Sequence, residues 1–133
     1  MHKWLTVILV GAAALVLSCG HGQILESITL QPSGGFVFEG FGAAGQFTAV
    51  GNYAYPTESR DISNQVLWQI DIANFGTVTQ TGLVTYTRTD GCGSGLVTAT
   101  YYTNPNNHSD GSTIIGTAPV SGVNNGNTTI CAP

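Results

Sequence analysis

Apolar and polar residues alternate with a period of two along most of this chain. Leu25–Pro32 puts Ile28 and Leu30 on one face and Ser27, Thr29 and Gln31 on the other, the pattern of a half-buried strand. Pro32-Ser33-Gly34-Gly35 ends it, and Phe36-Val37-Phe38 is a short apolar piece before Gly40. Gln46–Tyr53 alternates again, with Phe47, Ala49, Gly51 and Tyr53 inward. A polar loop, Pro56–Ser63, precedes Val66–Ile70, where Val66, Trp68 and Ile70 share a face. Gly76–Gln80 and Leu83–Thr87 flank Thr81-Gly82, which reads as a tight connection. Leu96–Thr103 places Val97, Ala99 and Tyr101 inward. Asn104–Gly111 is a turn-rich loop before Thr113–Val120 and a last short strand, Thr128–Cys131. Beyond the first eighteen residues, no ten-residue stretch keeps a helical period. About seven short strands over roughly 100 residues predict an all-β, immunoglobulin-like sandwich. Trp68 would fill the gap between two sheets packed ~10 Å apart.

The N-terminus breaks this pattern. His2-Lys3 is a short basic start and Trp4–Leu17 is a fourteen-residue apolar run. A spanning helix needs ~20 apolar residues, so residues 1–18 read as a signal peptide with a helical core. A linker, 19–24, and one domain, 25–133, follow. Removing 18 of the 133 residues leaves 115, of which Gly is 17 and Thr 16. That composition, poor in Lys, Glu and Ala, fits a β protein with many turns. Leu, Ile, Val and Phe contribute 26 residues, above the ~20% level below which chains tend to stay disordered. Lys3 leaves with the leader, so seven acidic residues face only Arg60 and Arg88. Two cations cannot track a phosphate backbone, which excludes nucleic acid as a partner. A basic membrane-surface patch is excluded for the same reason.

Val16-Leu17-Ser18-Cys19 resembles the lipobox of bacterial lipoproteins, with Val16 in place of the usual leucine. The resemblance implies a mature chain beginning at Cys19, thioether-linked to diacylglycerol and open to N-acylation, palmitate being the common chain. Two acyl chains anchor a protein stably without spanning the membrane. The alternative is an ordinary secretory signal with an incidental cysteine. Cys92 and Cys131 remain as an even pair in an exported, oxidising setting, and they are expected to form a disulfide. That bridge would close a loop of about 40 residues and contribute roughly 4 kcal/mol. Two free buried thiols are the alternative. Zinc is disfavoured, because His21 and His108 lack ligand spacing to a cysteine.

A family resemblance runs through the strands. Ser27-Ile28-Thr29-Leu30-x-Pro32, Gly45-Gln46-Phe47-Thr48-Ala49-x-Gly51-x-Tyr53 and Val66-x-Trp68 come first. Gly76-Thr77-Val78, Gly82-Leu83-Val84-Thr85 and Val97-Thr98-Ala99-Thr100 follow in order. Together they resemble the group 2 bacterial Ig-like domain (BIG2), known from invasin- and intimin-type surface proteins. The likeness covers Leu25 to about Val120 and implies an Ig-like fold in a cell-envelope protein. Where that family usually has Ser-Ser-Asn after the Trp strand, this chain has Gln69-Ile70-Asp71-Ile72-Ala73-Asn74. Cys92 and Cys131 are additions to the family pattern.

The residues offer little chemistry. Ser94 in Gly91-Cys92-Gly93-Ser94-Gly95 stands in the fourth position, whereas a nucleophile elbow needs Ser in the third and a helix behind it. A glycine-rich turn is the simpler reading. His108 lies in the polar loop Asn106–Asp110, where Asp110 could orient it, but a triad also needs a nucleophile. Asp71, Asp90 and Asp110 are scattered singly, whereas calcium requires several converging oxygens, so a calcium site across a loop end through one of them is only the lesser alternative. No metal, cofactor or catalytic residue is expected, and the mature chain, having no lysine, cannot form a Lys–Asn isopeptide staple. Tyr55, Phe75 and Tyr102 are candidate exposed aromatics for stacking on sugars or a protein. The alternative is that they cover sheet edges.

These features lead to a non-enzymatic, lipid-anchored structural or interaction module, exported to a bacterial membrane or cell surface. A carbohydrate- or protein-binding cell-adhesion domain is the second expectation. Only Gly20–Ile24 separate Cys19 from the first strand, a reach of at most about 18 Å. So short a tether favours envelope proteins or glycans at the same membrane as partners.

Overall fold

The computed structural model describes residues 22–72, 75–88, 93–109 and 111–123. Among them are ten strands and no helix. They are β1 (Ile24–Gln31), β2 (Phe36–Glu39), β3 (Ala44–Gln46), β4 (Thr48–Ala54) and β5 (Glu58–Asp61), then β6 (Leu67–Ile70), β7 (Gly76–Val78), β8 (Leu83–Tyr86), β9 (Gly93–Tyr102) and β10 (Thr113–Val123). The expected signal helix (1–18) and last strand (128–131) lie outside the described residues.

The strands form a β-sandwich. One sheet has the order β2-β10-β9-β6, antiparallel except where β2 runs parallel to β10. The opposite layer consists of β1-β4-β5 and β3-β8-β7. Phe47 alone separates β3 from β4, and its N–H donates to the Gly82 carbonyl at 2.8 Å, so one run of chain serves both ladders. With β3 and β4 taken as a single strand B, the layers read A-B-E-D and C-F-G, the immunoglobulin order. Three additions bring seven strands to ten. The first strand breaks at Pro32–Gly35 and crosses to the other sheet as β2, B divides at Phe47, and β5 is extra.

β5 replaces part of the expected Pro56–Ser63 loop. It is exposed on both faces, so no alternation marks it. It pairs along β4 from Val50↔Asp61 to Tyr53↔Glu58. Its charged Glu58, Arg60 and Asp61 suit an edge strand, where charge discourages pairing with another chain.

The inward faces match the alternation. Ile28, Leu30, Phe47, Ala49, Tyr53, Val66, Trp68, Val97 and Ala99 are all buried, and Ile70 and Tyr101 pack partly buried against them. Phe38, Phe75 and Tyr86 add an aromatic cluster, with Phe75 and Tyr86 rings edge-on at 4.9 Å. The hairpin at Thr81-Gly82 forms as expected: Gly82 has φ +85° and its N–H donates to Thr79 O at 3.0 Å. Gly93–Gly95 belong to β9 and pair with β10 from Gly95↔Val120 to Gly93↔Gly122. The turn expected over Gly91–Gly95 is therefore corrected to a strand across its last three residues. β1 and β10 run in the same direction, since Gly116 lies against Ile28 and Gly35 against Pro119. The described chain thus enters at one end of the sandwich and leaves at the other.

Candidate functional site

The entry end carries the most varied surface chemistry. There β1 begins, β4 ends in the Tyr55 turn, β5 begins and β9 ends. A groove of about 360 Å³ opens between the two layers. Leu25, Tyr53 and Tyr101 form its walls, while Gln23, Arg60, Gln65 and Thr103 stand at its rim. The alternation explains the placement. Tyr53 and Tyr101 are the last inward residues of β4 and β9, where the layers part, so both keep a polar tip near water.

Arg60 projects from β5 over the Tyr53 ring, its Cζ 4.1 Å from the ring centroid. Such stacking holds a guanidinium in place, and a hydrogen bond between the Arg60 and Tyr53 side chains adds to the hold. Glu58, two residues earlier, accepts a 2.7 Å hydrogen bond from Gln23 Nε2. Asp61 is engaged elsewhere. Its Oδ1 accepts from Ser63 N at 2.8 Å, and hydrogen bonds from the Ser63 side chain and backbone hold its carboxyl below the usual range. Ser63 Oγ in turn accepts from Ala49 N at 2.9 Å, tying the segment after β5 to β4.

The three aromatic candidates part ways. Tyr55 is 77% exposed at the β4–β5 turn, with φ +56°. Tyr102 is half-buried and stacked on His108, ring centroids 4.0 Å apart and 11° from parallel. Phe75 is corrected: it is fully buried between Phe38 and Tyr86. Its position just before β7 aims it into the core, so it offers no surface to a ligand. The absence of a continuous strand before it hid this, because alternation assigns no face to a residue in a connection.

His108 is thus occupied by ring stacking, and Asp110 lies outside the described residues. Ser94 is exposed on β9, paired with Ser121. Asp71 Oδ1 accepts from Leu96 N at 2.6 Å and its N–H donates to Leu96 O at 3.1 Å, which clamps the end of β6 onto β9. Asp90 lies outside the described residues. Among those described, no group of three or more His, Cys, Asp or Glu could hold a metal, and no helix is long and apolar enough to cross a membrane. Cys19, Cys92 and Cys131 all lie outside the described residues. Arg60, Gln65 and Thr103 carried no marker in the sequence, because Arg60 and Gln65 fall in or beside a polar stretch that reads as loop and Thr103 is the last residue of a strand segment, where alternation assigns it no chemistry. A comparison with known protein families and with curated proteins finds no match for this chain.

Proposed function

We propose that this chain is a non-enzymatic, lipid-anchored interaction module of a bacterial cell envelope, its folded part a group 2 Ig-like sandwich. One observation carries the reading: a basic start, an apolar run too short to span, then Val16-Leu17-Ser18-Cys19. Acylation of Cys19 would leave four residues, Gly20–Gln23, before β1, a reach of about 14 Å at most. The entry end of the sandwich would then face the membrane that holds it, with partners at or close to that membrane. Expression of the full-length Cys19→Ala variant tests the anchor. The parent is expected in the detergent phase, and the variant in the soluble exported fraction with an unchanged far-UV CD spectrum. A variant that still partitions into detergent overturns the reading.

The same export reading pairs Cys92 with Cys131. In support, Gly93 pairs with Gly122, so the chain runs towards both cysteines from one end of the sandwich. Non-reducing mass analysis is expected to give a Cys92–Cys131 peptide. Reduction should lower the Tm by several degrees, since 1 kcal/mol moves a domain of this size by roughly 4 °C or more. Free thiols at both positions in freshly exported protein would refute it.

A further inference from the structure

We infer that the groove between the layers at the entry end is a binding site for a carboxylate-bearing sugar. This inference does not depend on the lipid anchor. At about 360 Å³ the groove falls within the range of small-ligand sites. Its chemistry is divided as a sugar acid requires. Arg60 supplies a planar fork of donors that matches a carboxylate with two parallel hydrogen bonds. The ring of Tyr53 already holds that fork at 4.1 Å, so little rotamer freedom is left to lose on binding. Glu58, on the same face of β5, acts on Arg60 electrostatically and accepts a hydrogen bond from Gln23 Nε2, so an incoming carboxylate joins one already beside the guanidinium.

The remaining rim suits hydroxyl groups. Gln65 offers an amide donor and acceptor, and Gln23 keeps its carbonyl oxygen free of the bond to Glu58. Thr103 Oγ1 donates to Ser112 O at 3.0 Å and retains its acceptor lone pairs. Leu25 and the Tyr101 ring form the apolar walls, against which the C–H face of a pyranose can lie. A free phosphate would use Arg60 alone and leave the amides and walls without a role. A neutral sugar would leave the guanidinium without its anion.

The test titrates the full chain, ¹⁵N-labelled and held in neutral detergent, with sodium D-glucuronate, D-glucose and sodium phosphate in parallel. Glucuronate is expected to shift the amides around Leu25, Tyr53, Arg60, Tyr101 and Thr103, with a Kd in the millimolar range. Arg60→Gln replaces an exposed edge-strand side chain that rests on the Tyr53 ring, and should weaken glucuronate at least tenfold while leaving the far-UV CD spectrum unchanged. Glucose should bind the parent at least tenfold more weakly than glucuronate. Four results overturn the inference: no shifts up to tens of millimolar, shifts confined to other parts of the surface, equal affinity of Arg60→Gln and parent, or phosphate or glucose binding as tightly as glucuronate.

Discussion

Trp68→Ala is expected to lower the unfolding free energy by about 3–5 kcal/mol, the range for removing a large buried aromatic. The side chain is 2% exposed and points inward from β6, the edge strand of its sheet, against the Thr81-Gly82 hairpin of the opposite layer. Three losses combine. The indole leaves a cavity that the two sheets cannot close without separating from their ladders. The Ser63 carbonyl loses the donor that now reaches it from Trp68 Nε1 at 2.8 Å, and an orphaned acceptor near the core costs about 1–3 kcal/mol. The Thr81-Gly82 hairpin loses the surface it rests on, since the ring lies directly over Gly82. Small domains hold only ~5–15 kcal/mol in total, so this one change consumes a large part of the margin. Urea unfolding followed by CD measures it. Trp68→Phe, which restores most of the apolar volume but not the N–H, should fall between parent and alanine. A loss below about 1 kcal/mol for Trp68→Ala would mean that the sheets are held together elsewhere.

The legibility of the fold follows from the same residues. Where a strand has one dry face and one wet face, its side chains record the fact, as Ile28 and Leu30 do against Ser27 and Thr29. β5 has two wet faces and leaves no such record. It forms because the Tyr55 turn delivers Glu58–Asp61 alongside β4, where backbone hydrogen bonds suffice. The division of the second strand at Phe47 is invisible for a different reason. Changing partners from β8 to β1 alters what lies beside the strand and leaves its inward face unchanged, so the alternation runs straight through. Phe75 shows the opposite limit: a connection can bury its side chain as fully as a strand does. The groove was legible only in part. Tyr53 and Tyr101 read correctly as inward residues, but their meeting with Arg60 depends on β5, the strand that left no signal.

Gly82→Ala is expected to destabilise by about 2–5 kcal/mol, and two other glycines separate the causes. At Gly82 both penalties act together. Its φ of +85° lies in the left-handed region, where an L side chain costs roughly 1–2 kcal/mol. A Cβ there would also run into the Phe47 carbonyl oxygen and come within 2.8 Å of the Trp68 ring. Neither neighbour can yield easily. Gly82 O accepts from Phe47 N at 2.8 Å, which fixes the hairpin to the point where β3 becomes β4, and Trp68 is packed on all sides. Overpacking of this kind adds ~1–3 kcal/mol. Gly42 shares the strained backbone, with φ +81°, but has open space where a Cβ would go. Gly42→Ala should therefore show the conformational cost alone. At Gly34 the space is open and the backbone lies outside the left-handed region, so alanine there should be neutral or stabilising by up to ~1 kcal/mol through a less mobile unfolded chain. Chemical denaturation of the three variants should rank the losses Gly34, then Gly42, then Gly82. Equal losses at Gly42 and Gly82 would show that the contact of the hairpin with Phe47 and Trp68 contributes nothing, and would remove the reason for a glycine at that turn beyond its dihedral angle.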